Sequence, residues 1–467
     1  MRRRIRWSTL AVSMTALVAV GVPAQADHAT RPSTTNIHAL GHSPQEGTFS
    51  VPDGQRVINS DIAFWGDIAF NGNYNGFRVI DISAPGNPKE ISHPECNGDQ
   101  GDIVVWEDIL VRSWNSPAPA GRTCDGEPVP VGFEGVHVWD ISDLDNPTLL
   151  TAVEFSAAGA AQRGTADGCG SHTATLVPDL ESDRLLVYSN NSSGAGRPVC
   201  DAMDIIEVPT DDPSSASHIG YVPLTGGSLG SNNGCHDAGA ILGDVNKLVC
   251  ASGHAANVFS IGAPGGGTLE NPQFLYTIEE SDAFGNKVGI GGRWHSAGFT
   301  WDGEVIVLGW EPGGGGAAEC EATDPDIKKS MFFYDADTGA KLGQWVLPNP
   351  QGADENCTIH VYNIVPLRSG RYVAVSGNYQ AGTWATDFTD PANPVTVGWS
   401  DPPSLGPGPF CGGQCQIGGA WSSYWYNNFI YESEIQAGLN VFRLSDSATG
   451  GAIKLDHLNP QTQEFSL

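Results

Sequence analysis

Gly76-Phe-Arg-Val-Ile-Asp-Ile-Ser83 and Gly135-Val-His-Val-Trp-Asp-Ile-Ser142 are two copies of one phrase. Each opens on glycine, alternates with period two and ends in Asp-x-Ser ahead of an Asn-Pro pair, at Asn87-Pro88 and Asn146-Pro147. Period-two alternation is the signature of a strand. The Asp, Asn and Pro behind it are turn chemistry. Gly382-Thr-Trp-Ala-Thr-Asp-Phe-Thr389, followed by Asn393-Pro394, is a looser copy, and Gly438-Leu-Asn-Val-Phe-Arg-Leu-Ser445 is a fourth.

Upstream of each phrase lie two further strand-like runs joined by a tight turn. Asp61-Ile-Ala-Phe-Trp65 and Ile68-Ala-Phe-Asn71 flank Gly66-Asp67; Asp102-Ile-Val-Val-Trp106 and Ile109-Leu-Val-Arg112 flank Glu107-Asp108. Seven such units can be traced, starting near Asp61, Asp102, His172, His236, His295, His360 and Ser422. Units of roughly 40–50 residues, lengthened by loops, are the period of propeller blades. A lone four-stranded unit cannot bury both faces, whereas radial stacking covers each sheet with the next. The expectation is an all-β chain, a seven-bladed β-propeller of four-stranded antiparallel blades over 57–467. Two packed sandwiches are the alternative, and the recurring spacing argues against them. A terminal strand should close the ring, either Asn36-Ile-His-Ala-Leu40, within an N-terminal extension over 27–56, or Ala452-Ile-Lys-Leu-Asp456.

The Gly-Phe-Arg-Val-Ile-Asp-Ile-Ser…Asn-Pro pattern resembles the LVIVD repeat family of secreted bacterial β-propellers. The match is good in the first two units, fair in the sixth and seventh, and poor in units three to five. The resemblance implies architecture and leaves function open.

Residues 1–26 read as a signal peptide. Arg2, Arg3, Arg4 and Arg6 precede an apolar run from Leu10 to Val22, and Ala24-Gln25-Ala26 is a cleavage site. A membrane anchor is the alternative. No later stretch is apolar enough to span a bilayer, so a secreted location is expected. Beyond the leader the chain carries 19 basic against 53 acidic residues, a net charge of −34. Nucleic acid is therefore a poor partner, because phosphate binding needs Lys/Arg patches. A small molecule or saccharide is the expected substrate, and the chain is expected to act as a monomer. Ten cysteines in an oxidising compartment imply disulfides. Their order suggests Cys96–Cys124, Cys169–Cys200, Cys235–Cys250, Cys320–Cys357 and Cys411–Cys415.

The unit starts also carry the candidate chemistry. His172, His236, His295 and His360 occupy one position in four successive units, in a chain with 12 histidines. In a propeller the first strand of each blade lines the axial channel, so four imidazoles should converge there. Neutral imidazole is a ligand for iron, copper, zinc and nickel. An all-nitrogen set with open positions suits iron or copper first and zinc next; calcium and magnesium fit it poorly. The layout is similar in outline to the four-histidine iron centre of carotenoid oxygenases and to the histidine-lined channels of selenium-binding-type methanethiol oxidases. The competing reading is a set of histidines bonded to neighbouring backbone. Asp61 and Asp102 are candidates for a general base or for orienting a ligand, or simply bond local amides. Trp294, Tyr362, Trp421 and Tyr424, with Trp310, are candidates for a substrate pocket or for the core.

Other chemistry is disfavoured. There is no H-E-x-x-H and no dinucleotide fingerprint. Gly226-Gly-Ser-Leu-Gly230 matches G-x-S-x-G literally, but it runs into Ser231-Asn-Asn-Gly234, which is loop. The functional expectation is a metal-dependent oxidoreductase of oxidase or oxygenase type. A lyase or hydrolase on extracellular saccharide, and a non-catalytic envelope binding protein, are the alternatives.

Overall fold

A computed structural model describes residues 30–45, 58–98, 100–154, 170–191, 202–225, 234–253, 255–280, 294–311 and 314–467. Among these residues the chain forms seven antiparallel blades and no α-helix. The innermost strands of blades I to VII are Asn59–Trp65, Ile103–Trp106, Thr173–Asp179, Asp237–Ile241, Trp294–Phe299, Val361–Ile364 and Ala420–Tyr426. In blades I to VI the next three strands follow outward in chain order, apart from the short hairpin Thr123–Cys124 and Glu127–Pro128 inserted in blade II. Blade VII takes its outermost strand from the other end of the chain. Ile37–Pro44 pairs antiparallel with Gly438–Leu444. The N-terminal candidate thus closes the ring; Ala452 instead bridges to Leu367.

The buried apolar residues fall into one main cluster per seam, with a small eighth cluster of Tyr379, Trp421 and Ile435. Phe77 and Val105 belong to the seam between blades I and II, Val138 and Leu176 to II–III, and Leu186 and Leu248 to III–IV. Val258 and Phe332 pack in IV–V, Phe333 and Trp384 in V–VI, Val375 and Phe442 in VI–VII, and Tyr431 and Phe64 in VII–I. Each sheet buries both faces against neighbours, as radial stacking requires.

The repeat phrase forms the third strand of its blade, and its glycine has a steric cause. A Cβ on Gly76, Gly135, Gly382 or Gly438 would lie 2.0–2.3 Å from a carbonyl oxygen of the outer strand or the turn beyond it. All four have positive φ, which glycine alone adopts freely. The phrase's aspartate accepts from the backbone two residues on: Asp81 from Ser83 N and Asp140 from Ser142 N, at 2.9 and 2.8 Å. These are Asx turns that end the strand.

Four of the expected disulfides are present: Cys96–Cys124, Cys235–Cys250, Cys320–Cys357 and Cys411–Cys415. They are consistent with an extracellular protein. Cys169 and Cys200, like the signal peptide 1–26, lie outside the described residues. Among the described residues no helix is long and apolar enough to cross a membrane.

Two terminal segments lock the ring. The Arg31 guanidinium is buried between blades VI and VII, 2.6 Å from Glu432 Oε2 and 2.8 Å from Ser400 Oγ. The C-terminal residues cross the axis. His457 and Leu458 pair with the end of the inner strand of blade I, and Thr462 and Gln463 run parallel to that of blade IV. Between them, the Asn459 side chain bonds both N and O of Val105 in blade II, each at 2.8 Å. Thr462 Oγ1 donates to Leu176 O in blade III, and Gln463 Nε2 to Phe299 O in blade V, both at 2.7 Å. These contacts sit near the ends of the inner strands, so the tail covers one mouth of the channel.

Candidate functional site

The seven unit starts stand where the repeat places them. Each lies within the first three residues of an inner strand or immediately before it. In blades I, V and VII the ladder slips by one residue here, between Asn59 and Ile62, Trp294 and Ala297, and Ala420 and Ser422. Such bulges re-aim side chains next to functional sites.

The four histidines form a continuous arc over blades III to VI. Ring centroids are 4.3 Å apart for His172 and His236, 3.8 Å for His236 and His295, and 4.5 Å for His295 and His360. His236, His295 and His360 are at most 4% exposed. Two of them use Nδ1 in the same way. Nδ1 of His295 lies 3.2 Å from His360 O, and Nδ1 of His360 lies 2.6 Å from Trp421 O. A carbonyl only accepts, so in both rings Nδ1 carries a proton. Burial holds His295 well below the usual imidazole range; His236 and His360 add to this, against the opposing pull of Glu311. The ring is neutral, the state a metal ligand requires.

Glu311 follows the second strand of blade V, Val305–Trp310. It is 2% exposed and its Oε2 lies 3.5 Å from His295 Nε2. One ligand atom from each of His236, His295 and Glu311 falls within 4.8 Å of the others. Tyr379, just beyond the second strand of blade VI, donates its hydroxyl to Glu311 Oε1 at 3.1 Å and lies 4.3 Å from the His360 ring. A second grouping, Cys96, Cys124 and His137, offers no thiolate, because its sulfurs are joined to each other.

The aspartates lie on the opposite arc. Asp61 Oδ1 accepts from Ile62 N and Oδ2 from Gln461 Nε2, both at 2.9 Å. Asp102 Oδ2 accepts from Ala174 N at 2.7 Å. Burial, with the charge of nearby acids, raises both carboxyls above their ordinary range, Asp102 the further. Asp237, next in sequence to His236, acts on both aspartates and on His295.

The aromatic candidates divide. Trp421 stays at the ring, edge-on to His360 at 5.1 Å. Trp294 and Trp310 pack edge-to-face in the seam between blades IV and V, and Trp294 Nε1 donates to Ile278 O. Tyr362 lies in the V–VI seam with its hydroxyl on Val307 O. Tyr424 lies in the VII–I seam and turns its hydroxyl towards Asp61. Glu311, Tyr379 and Asp237 were not apparent from the repeat. Only Asp237 had a local signal, its place beside His236.

The family model for the LVIVD repeat matches residues 59–93, which span the four strands of blade I. No curated protein matches the chain. Among solved structures, the crystal structure of the computationally designed Ika8 protein has a TM-score of 0.40 and 11% sequence identity, covering 83% of this chain and 97% of that one.

Proposed function

We propose that this LVIVD-repeat propeller binds one divalent transition metal on its axis through His236, His295 and Glu311, and uses it in oxidoreductase chemistry on a small molecule. His172 and His360 flank the three and complete the arc. The observation that carries the reading is the convergence of two buried imidazoles and a buried carboxylate, with the far nitrogen of His295 fixed on a backbone carbonyl. Outer hydrogen bonds of that kind set tautomer and orientation in metal sites.

Two imidazoles and one carboxylate are the donor set of non-haem iron(II) centres, and zinc hydrolases use it too. The two further imidazoles favour a redox metal, iron ahead of copper. Such a metal would activate dioxygen or polarise a bound substrate. The chain's own part is legible in its contacts. Tyr379 orients Glu311, the His360 and Trp421 carbonyls orient the rings, and the C-terminal tail leaves the ring-side mouth for substrate. The negative charge of the chain draws cations towards it.

The test is elemental analysis of the purified chain together with a His236→Ala/His295→Ala variant. About one iron, copper or zinc per chain, lost in the variant with the fold unchanged, supports the centre. A native protein that neither carries such a metal nor takes one up on dialysis rules it out. Oxygen uptake with small organic substrates then separates oxidoreductase from hydrolytic chemistry.

A further inference from the structure

We propose that Cys96, Cys124 and His137 form a redox-gated zinc site: when the sulfurs are reduced, the two thiolates and the imidazole hold one zinc ion, and when they are oxidised the disulfide closes the site. Cys96 follows the outer strand of blade I, Lys89–Ser92. Cys124 lies in the hairpin inserted in blade II, and His137 in that blade's third strand, Gly135–Asp140. One ring nitrogen of His137 and the two sulfurs all lie within 4.8 Å of one another. Cys96, Cys124 and His137 are 0%, 1% and 2% exposed. Two sulfurs and a nitrogen are a zinc donor set, and three protein ligands leave the fourth tetrahedral position to water.

The histidine itself calls for such a role. His137 is the third residue of the repeat phrase, and in the other three copies that residue is partnered. Arg78 is on Glu90, Trp384 Nε1 donates to Ala381 O, and Asn440 Nδ2 donates to Glu432. Nδ1 of His137 is buried and has no hydrogen-bond partner. The ring is instead walled by Trp114 and Phe133, at 5.5 and 4.8 Å between centroids. Buried polar atoms are normally satisfied, and an aliphatic side chain would fill this apolar seam without that cost. Burial, with the charge of Arg112 adding to it, pushes His137 down to about 3, so the ring is neutral. Neutral imidazole is the ligand form.

The sulfurs are prepared in the same way. Arg112 Nη1 donates to Cys96 Sγ at 3.7 Å. A guanidinium beside a sulfur favours the thiolate, which is the form that binds metal. Opening the disulfide takes two electrons and two protons, supplied by two molecules of a small thiol that leave joined as their own disulfide. Zinc then displaces the two protons from Cys96 and Cys124. The ion takes over from the S–S bond as the tie between blade I and the insert of blade II.

The site is independent of the histidine centre, whose donors include no sulfur, and its test reads sulfur directly. The purified chain is reduced with a water-soluble phosphine and titrated with cobalt(II), whose thiolate charge-transfer absorption reports sulfur ligands; zinc then competes. The reduced chain should show a band that the oxidised chain lacks and that zinc abolishes. Cys96→Ser/Cys124→Ser should lose the share of the band that belongs to this pair. Affinity should fall by about tenfold or more in His137→Ala, with His137→Gln as a second variant should the first not fold. Zinc should also raise the melting temperature of the reduced chain. The proposal is overturned by a folded reduced chain without the band, by a band of equal size in Cys96→Ser/Cys124→Ser, or by unchanged affinity in whichever His137 variant folds. A chain that unfolds on reduction even with zinc present overturns it as well.

Discussion

The hydroxyl of Tyr379 reaches Glu311 across a blade seam, at 3.1 Å, from a backbone held at φ +53°. A left-handed conformation is unfavourable for an aromatic residue by roughly 1–3 kcal/mol. The surroundings enforce it: Tyr379 and Ala420 exchange both backbone hydrogen bonds at 2.8 Å. A residue held in this way, with its functional end on a buried carboxylate, is built like the support of a ligand.

Tyr379→Phe is therefore expected to lower transition-metal affinity by about 10- to 100-fold, the usual effect of losing an orienting partner, while the fold persists. Gly315→Ala reaches the same contact from outside, because its Cβ would lie 2.4 Å from the Tyr379 hydroxyl. Metal titration of both variants, with circular dichroism as the control for folding, checks the pair.

Asn459→Ala should destabilise the chain by about 1–3 kcal/mol. It removes both hydrogen bonds to Val105 and leaves that backbone N–H and carbonyl buried without partners. Asn459→Asp keeps an acceptor but no donor and should fall between. Denaturant unfolding gives the order directly.

Arg31→Ala should cost more, about 3–5 kcal/mol, because it leaves the fully buried Glu432 without its cation. Burial pushes the Glu432 carboxyl up, and Arg31 outweighs it, so that the group is held below its ordinary range. Adding Glu432→Gln to Arg31→Ala should recover part of the loss. A double-mutant cycle measures how much.

Stability should also fall as pH rises from about 4.5 to about 7. Burial, with Glu432 adding to it, pushes the Glu434 carboxyl up to about 7. The native state thus holds a proton that the unfolded chain releases near its ordinary value. The stabilisation is complete below the unfolded pKa and is lost through the folded one, on the order of 3 kcal/mol in all. Unfolding curves at pH 5 and pH 8 should differ in this sense, and Glu434→Gln should reduce the difference.

Much of this was legible in the sequence. The repeat phrase is held by local causes, its glycine by a carbonyl that leaves no room for a Cβ and its aspartate by an Asx turn, so it recurs in recognisable form. The histidines could be registered because the innermost strand begins at one point in every blade. Glu311 and Tyr379 could not, since both sit past the ends of second strands, where no period sets the residue type. Trp294 shows how neighbours mislead. It precedes His295 by one residue, and strand alternation turns it into the seam between blades. The tail was invisible for a different reason: its pairings with blades I and IV are two residues long, too short to leave a pattern.

The pairing of Ile37–Pro44 with Gly438–Leu444 also orders events in time. The strand that emerges early in synthesis has its partner about 400 residues later. Until blade VII is made, six blades stand as an open stack with an exposed flank, and the early strand has no edge to join. Contacts of such separation slow folding and leave sticky edges exposed in the interval. A chain interrupted before Gly438 would keep that flank open, and its fate would be association or degradation rather than a smaller ring.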